Sequence, residues 1–554
     1  PFLKELQHVP QKLNVSRTIK DTYSRTLDAF VDSVFQFVDQ PYLAFQRNFA
    51  PVEEIGHVAV IGNIEGKIPT DFPTGVYLRN GPNPLYGGFK STVSLFGNSS
   101  SSWIEGEGML HALYFTKDTQ DCWTMLYNNK YVKTESYMEE KRKNKPSFLP
   151  AIEGDSLAIL AAFLLNWLRF GKANKHFSNT NVFEHSGKCY SIAENHMPHE
   201  VDIVTLETLV GGWVLEKSWG RPFTSHPKRA PGTGELVILG ADAVKPFIVL
   251  GVVSADGKKL LSKVDLKFSR SIICHDVGVT EKYNIILDSP LTADINRLIK
   301  GGSLFMYRKE DHARMGVMPR YGDGNSVVVR GCRAQGSVIP GPDFGHNKDE
   351  WFSRGLKPLY QYDENASSNL EVGELFARVY EWRLNMLSGE VKETSLTGTS
   401  FGMDLPMINE KYNGIRNKFG YAHVADPTAS SSAGLKYGML AKLYFEELLS
   451  RPTETKEHFG SEEIVKVEYH KLEENNFCTG AAFVSKLGGR DEDDGWIVCF
   501  VHNEETDVSQ VHIIDTKNFE GEPVVKLTLP QRVPYGFHGT YVSRSIQPQE
   551  VLYC

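Results

Sequence analysis

Cysteine is scarce and scattered. The 554 residues hold seven (Cys122, Cys189, Cys274, Cys332, Cys478, Cys499 and Cys554), an odd number with no CxxC pair. That spacing excludes a disulfide framework and a cysteine zinc site, and it favours a reducing compartment. There is no basic excess: 60 Lys and Arg stand against 68 Asp and Glu, a net charge of −8. This argues against a nucleic-acid partner, because phosphate binding needs a basic face that this balance does not supply. No run approaches the roughly 18 apolar residues that cross a bilayer, and the longest, Leu157 to Leu168, is interrupted by Asn166. The opening PFLKELQHVPQKLNV has neither the apolar core of a signal peptide nor an Arg/Ser-rich transit composition, so any import peptide is expected to have been removed or never present. What the chain does have is 41% hydrophobic residues, enough for a large buried core.

Two segments read as helices. From Ile19 to Val38, Ile19, Tyr23, Leu27, Phe30, Val34 and Phe37 step by three and four, with Val31, Phe35 and Val38 widening the stripe. Such a face either packs on the parent fold or lies on a membrane. Ala151 to Lys172 is the second, with Asp155 or Ser156 as its cap and almost no polar face in its middle. It must be buried, or must dip into lipid without crossing.

From about residue 49 the pattern changes to short alternating runs between turn signals, such as VAVIGNIEG, VDIVTLETLVGGW, LVILGA, SLFMYRKED and WIVCFVHN. Several runs share one cadence, a strand reaching a polar residue and then a turn: Asp202, Ser254, Asn385 and Asp515. Repeated strand-turn units over so long an all-β stretch suggest a β-propeller, which hides sheet edges by radial repetition. The expected organisation is an amphipathic helical segment over residues 1–48 and one propeller domain over 49–554 with a helical insertion near 148–172. MEEKRKNK at Met138 to Lys145 and the acidic run Arg490 to Asp494 read as solvated loops.

Seventeen histidines occur without HExxH or a close ligand pair. Three stand in unusual settings: His226 in TSHPKRAPGTGEL, His275 in SIICHDVGV and His538 in PYGFHGTY. A propeller can bring such distant residues together, because the inner strand of each blade faces one axis. Glu105 and Glu107 in WIEGEGMLH are the rival chemistry. On an ideal strand they would stand about 6.6 Å apart, within the roughly 6.5–9.5 Å of an inverting glycosidase. Gly106 and Gly108 instead favour a turn or a close backbone approach, and a structural role for the acids.

NFAPVEE, YLRNGPNP, WIEGEGMLH, NTNVFEHSGKCYSIAEN, SHPKRAPGTGEL, ICHDVGVTEKY and LPQRVPYGFHGTY together resemble the plant carotenoid cleavage dioxygenases, in order, from about residue 14 to residue 545. Within that family the chain looks most like the zaxinone synthase branch, with the strigolactone-pathway cleavage enzyme as the next neighbour. The resemblance implies a mainly β fold, a seven-bladed propeller with an α-helical cap at the substrate entrance. It also implies one Fe(II) on four histidines. His226 matches the first ligand, His275 the second and His538 the fourth. Glu194 in SIAEN and Asp404 in FGMDLPMIN match carboxylates that hold the outer N–H of ligand rings, and Gly480 stands where a third glutamate is common.

One departure is larger. The family's third ligand lies on a strand between the elements written here as MPRYGD and VVVRGC, yet only Gly324, Asn325 and Ser326 separate Asp323 from Val327. His346 in DFGHNKDEWF follows VVVRGC and is not assigned. Losing an inner strand leaves ladder groups unpaired, so omission of a segment from this sequence is favoured over a protein that folds without it. The resemblance implies a plastid, membrane-associated dioxygenase that uses O₂ to cut one C=C bond of an apocarotenoid, at best guess the 13,14 bond of a C27 apocarotenal. Leu160, Phe163, Leu164 and Trp167 are the expected membrane-facing entrance. The alternatives are a strigolactone-pathway enzyme and an apocarotenoid-binding pseudoenzyme with an incomplete iron site.

Overall fold

Among the described residues the strands pair into nine sheets, and seven of these, built mostly from sequence neighbours, follow one another along the chain. The computed structural model describes residues 17–39, 47–86, 90–101, 104–194, 196–210, 213, 215–222, 224–243, 245–320, 326–337, 347–358, 373–430, 434–448 and 463–553. The seven sheets are the blades of a propeller. The third blade is typical: Lys228–Arg229, Leu236–Ala241, Ile248–Val253 and Leu260–Asp265 pair antiparallel in chain order. Ring closure uses both ends of the chain. Ile64–Gly66 adds to the outer edge of the seventh blade beside Val525–Thr528, and Gly539–Ser543 adds to the first blade beside Gly75–Pro82. Blades pack face to face through apolar side chains; Tyr77, Leu113 and Phe115 of the first blade meet Trp496, Val498 and Phe500 of the seventh, all buried.

The cadence of strand, polar residue and turn has one physical basis at all four positions: the side chain accepts backbone N–H groups and so replaces the ladder that is ending. Asp202 Oδ1 accepts from Val204 and Thr205, Asn385 Oδ1 from Leu387 and Ser388, Asp515 Oδ1 from Lys517, and Ser254 Oγ from Lys259. The long run VDIVTLETLVGGW is mostly this turn: its strand is His199–Val201, and VAVIGNIEG divides into Ala59–Val60 and Ile64–Gly66.

The helices depart further from expectation. Helix α1 spans Arg17–Val34, and Phe35–Asp39 leaves it as a strand paired with Lys90–Ser94. In that strand Phe35 turns inward while its neighbours are exposed or half-buried. Val31 is buried, but Tyr23 and Phe30 are 49% and 44% exposed, so the apolar stripe of α1 is split between packing and solvent; the side chain of Ile19 lies outside the described residues. MEEKRKNK is no loop. It belongs to helix α2, Glu135–Lys143, whose start is capped by Thr134 accepting from Tyr137 N–H and whose end is Asn144 in the left-handed region at φ 51°. Helix α3, Ser156–Phe170, ends on Gly171 at φ 70°. Asp155 stands at its N-cap position, yet its carboxylate accepts from Asn98 N–H instead. Asn166 breaks the apolar run for a reason: fully buried, it brackets Leu149 through N–H and C=O and so ties α3 to the preceding segment. The run Arg490 to Asp494 is likewise not solvated throughout. Glu492 accepts from Lys418 and Phe419 N–H, and Asp493 pairs with the buried Lys442 at 2.8 Å.

Asp28 holds α1 to the other two helices. It accepts from Lys143 of α2 at 2.7 Å and from Arg169 of α3 at 2.8 Å. Burial would raise its pKa, but these two partners outweigh that and hold the carboxyl below the usual carboxylate range. A depressed carboxylate pKa contributes stability above the ordinary value of about 3.9 that is lost as pH falls through the folded value. Asp28→Asn should therefore loosen α1 at neutral pH, leaving the buried Arg169 without its anion, and the native protein should show the same loosening only in acid. Limited proteolysis of residues 17–34, scored against pH, checks both.

Candidate metal centre

Each of the three histidines stands one or two residues before a strand that opens or closes a blade at the axis. His226 precedes Lys228–Arg229, His275 precedes Val277–Val279, and His538 precedes Gly539–Ser543. Thr224 couples the first two: its hydroxyl accepts from His226 N–H and donates to His275 C=O at 2.6 Å. A parallel bridge between His226 and Asp276 continues that contact. His538 is fixed by its own backbone, donating to Thr180 C=O and accepting from Asn80 N–H. Asn80, fully buried, also donates from its side chain to Ser178 C=O, Asn181 C=O and Ser191 Oγ. Asn80 lies inside YLRNGPNP but drew no attention by its type; the signal was a polar pair, Arg79 and Asn80, within a strand buried along its whole length.

The three rings converge. Their ligating atoms all lie within 4.8 Å of one another, with His226 Nε2 and His275 Nε2 3.0 Å apart. Ring centroids stand 4.6 Å apart for His226 and His275 and 4.5 Å for His226 and His538. Two ligands about 2.1 Å from one ion and at right angles to each other stand about 3.0 Å apart, so this spacing fits two adjacent positions of a metal. Burial pushes His226 well below the ordinary histidine pKa and His538 down to about 3, with the neighbouring rings adding to the effect. Both are thus neutral donors.

His275 differs. Burial alone would lower its pKa, but Glu194 outweighs it and raises it to about 9. Glu194 Oε1 lies 2.7 Å from His275 Nδ1, and for Glu194 the same partner overcomes burial and lowers the carboxyl. So raised, the metal-free ring carries a proton on both nitrogens at neutral pH; a metal would take the place of the one on Nε2, the atom facing His226, while Glu194 keeps the one on Nδ1. The donor set therefore fits a first-row divalent metal: three imidazole nitrogens and one carboxylate that fixes a tautomer.

Asp404 is placed otherwise than the resemblance implied. Its carboxylate accepts from Leu405 N–H at 2.8 Å and from Tyr437 OH at 3.4 Å, with no hydrogen bond to any of the three histidines, and burial raises its pKa. Gly480 sits at φ 69°, where a Cβ would meet Arg79 Cγ at 2.2 Å, so no glutamate fits there. The junction at Asp323 and His346 lie outside the described residues. In the fifth blade the strand Ser326–Arg333 pairs only with Arg378–Asn385 among the described residues, which leaves its other edge open where the resemblance implies a further strand.

Glu107 is ruled out as a glycosidase acid. It is buried, ion-paired to Lys175, and accepts from Leu85 N–H; Glu105 is buried too. The glycines give the reason, since a Cβ on Gly108 would stand 1.8 Å from Ser178 O. The entrance residues on α3 divide. Leu160 and Phe163 pack partly against Val31 and Phe35, Trp167 is half-buried, and Leu164 is 47% exposed. Leu157, not chosen from sequence, is 66% exposed.

A mainly β propeller with three convergent histidines at its axis defines the class. Residues 49–543 match the family of the retinal pigment epithelial membrane protein, RPE65, and the chain belongs to that family. Among relatives, the carotenoid 9,10(9',10')-cleavage dioxygenase 1 of Pisum sativum is 28% identical over 93% of each chain. A chloroplastic 9-cis-epoxycarotenoid dioxygenase of Oryza sativa subsp. japonica is 27% identical over 95% of this chain and 80% of its own. Solved structures share the fold. A variant of Synechocystis apocarotenoid oxygenase superposes with TM-score 0.67 at 18% identity, covering 92% of this chain and 100% of its own. The lignostilbene dioxygenase of Pseudomonas brassicacearum gives 0.69 at 20% identity, over 89% and 97%.

Glu194→Gln keeps the acceptor oxygen and removes the charge. Metal affinity, measured by competition with a chelator, should fall roughly 10- to 100-fold, the usual cost of losing a partner that orients a ligand. Unchanged affinity would separate Glu194 from the centre.

Proposed function

We propose that this protein is a non-haem Fe(II) dioxygenase that cleaves one C=C bond of an apocarotenoid. The observation that carries the reading is the convergence of His226, His275 and His538 on one point, with Glu194 holding the outer nitrogen of His275. The family and the cleavage dioxygenases among its relatives support it. Iron bound by these rings would supply the activation of O₂. The reaction balances without an electron donor: the C=C and O–O bonds break, and each carbon gains one oxygen as a carbonyl. Neutral His226 and His538 leave the metal charge intact, and Glu194 keeps the His275 ring from rotating. The resemblance to the zaxinone synthase branch selects a C27 apocarotenal and its 13,14 bond. The relatives named chloroplastic favour a plastid location.

Among the described residues Ser326–Arg333 pairs along one edge alone, which favours a second reading, an apocarotenoid-binding protein with a weak three-histidine site. Iron content decides between them. Protein reconstituted with Fe(II) without oxygen should hold about one iron per chain and, once O₂ and an apocarotenal are added, yield two carbonyl products, while His275→Ala should lose iron and cleavage together and stay folded. Iron retained in His275→Ala would remove these residues from the site.

The same proposal includes shallow membrane contact. Leu157 and Leu164 of α3, Tyr23 and Phe30 of α1, and Leu95 and Phe96 of the hairpin beside them are all exposed, and apolar groups so grouped suit insertion at a lipid surface. Among the described residues no helix is long and apolar enough to cross. Replacing Leu157 and Leu164 with serine should reduce flotation with liposomes and spare cleavage of detergent-dispersed substrate. Flotation equal to that of the parent protein would remove the contact.

A further inference from the structure

Tyr127 and His111 form a buried polar pair that takes no part in the axial centre. They lie on neighbouring strands of the first blade, Trp123–Tyr131 and Gly108–Lys117, and neither is more than 1% exposed. Tyr127 OH stands 2.8 Å from His111 Nδ1. Burial pushes the Tyr127 hydroxyl above the usual phenol range, against the pull of Gln531 and Arg79. Burial first, then Arg79 and Arg532, hold His111 well below the ordinary histidine pKa. The pair thus rests as a neutral phenol beside a neutral imidazole. A buried phenol O–H needs an acceptor, and Nδ1 with its free lone pair is the one within reach.

Other buried tyrosines supply the contrast. Tyr77 OH donates to Gly480 C=O and Tyr114 OH to Val204 C=O, and a peptide carbonyl does not take up a proton. An imidazole does. A phenol that has lost one electron is a far stronger acid than any imidazolium, so its proton moves to Nδ1 even though burial and two arginines disfavour the charge there. Without such an acceptor the ring would keep its own positive charge in an apolar core, a costly state. Tyr127 is therefore more readily oxidised than Tyr77 or Tyr114.

Packed groups join the pair to the axis. Gly539, next to His538, pairs with Arg79, and Arg79 pairs with His111, a span of two strand spacings or roughly 10 Å. Phe500 of the seventh blade bridges the same gap from the side. Its ring stands 6.2 Å from His111 and 4.9 Å from Tyr77, and a Cβ on Gly539 would meet the Tyr77 ring at 2.8 Å.

We propose that Tyr127 is a redox-active tyrosine with His111 as its proton acceptor, and that it draws oxidising equivalents away from the histidine cluster. Tyr127 gives one electron to a one-electron oxidant formed from O₂ at the axial centre when no polyene is bound. Its O–H bond breaks and an N–H bond forms at His111 Nδ1, leaving a neutral tyrosyl radical beside an imidazolium. One electron from a soluble reductant and the proton held by His111 restore the phenol. The source of the oxidant rests on the dioxygenase reading; the oxidation of Tyr127 does not.

Two experiments test it. In the first, the metal-free full chain is oxidised by flash-generated ruthenium(III) tris-bipyridine and frozen for electron paramagnetic resonance. The parent protein should give a tyrosyl signal that outlives those of exposed tyrosines at least tenfold, since a buried radical cannot meet a second one. Tyr127→Phe, which keeps the ring and its packing, should lose that long-lived signal. His111→Gln, whose amide takes up no proton, should lose most of it, while Tyr77→Phe should keep it. A long-lived signal undiminished in Tyr127→Phe or His111→Gln, or absent from the parent, would overturn the proposal. In the second, iron-loaded protein stands under O₂ without substrate, and the peptides that hold His226, His275 and His538 are weighed for added oxygen. Tyr127→Phe should oxidise these histidines at least threefold faster than the parent. Equal rates in protein that cleaves an apocarotenal would overturn the protective role. A parent that forms the radical in the first experiment, yet neither cleaves an apocarotenal nor oxidises its histidines, would uphold Tyr127 and overturn the dioxygenase reading instead.

Discussion

Closure of the ring is the constraint on which the rest depends. Gly539–Ser543, near the end of the chain, pairs with Gly75–Pro82, near its start, and only that pairing carries His538 to His226 and His275. Asn80 secures it twice, by bonds to the backbone of Phe537 and His538 and by a side chain that reaches three acceptors around the second blade. Beneath it Arg79 runs fully buried under Gly81, Gly480 and Gly536, with one guanidinium N–H on Pro534 C=O. A buried cation is costly unless its donors are met, and the glycines exist to admit it. The absence of the familiar glutamate at 480 follows from this packing.

The electrostatics of the centre follow from the same placement. One carboxylate, Glu194, reaches a histidine; Asp404, with a shorter side chain, does not and is held by Tyr437 and a backbone N–H instead. The result is asymmetric: two rings kept neutral by burial and one kept protonated on the nitrogen away from the others. Metal binding would then displace the proton on His275 Nε2 while Glu194 retains the one on Nδ1, so affinity rises with pH up to about 9. In the fifth blade no described strand pairs the other edge of Ser326–Arg333, where the resemblance implies the strand that carries the family's third ligand. A site with three nitrogens can bind a metal, but it leaves more positions to water or oxygen.

The helices and the aromatic wall divide the remaining labour. Val31 of α1, Phe35 of the strand that follows it, and Ile159 and Ala162 of α3 share one buried cluster, and α3 presents Leu157 and Leu164 outward. Phe49, Tyr535 and Phe537 line one small cavity together with Pro82. The motifs NFAPVEE and LPQRVPYGFHGTY are almost the whole chain apart in sequence and meet in that wall, where Arg532 donates to Ala50 and Pro51 C=O.

The sequence by itself determined the strand-turn repeat, because turns after Asp202, Ser254, Asn385 and Asp515 are set by a side chain a few atoms from the groups it satisfies. It also determined which histidines to suspect, through motifs that resemble a family. Local pattern failed where long-range contacts override it. Phe35–Asp39 has helical spacing yet is a strand, since Lys90–Ser94 offers it a ladder. Glu492 and Asp493 look solvated yet are buried, since Lys442 and two amide groups lie ready for them. Asp404 matched a motif, yet its carboxylate bonds Tyr437 and a backbone N–H instead of a histidine, a choice of partner that the motif does not show. The tertiary structure alone decided the convergence of three rings, the exclusion of a side chain at Gly480 and the meeting of Phe49 with Tyr535. Each of these is a distance between residues far apart in sequence, and ring closure, not local propensity, sets those distances.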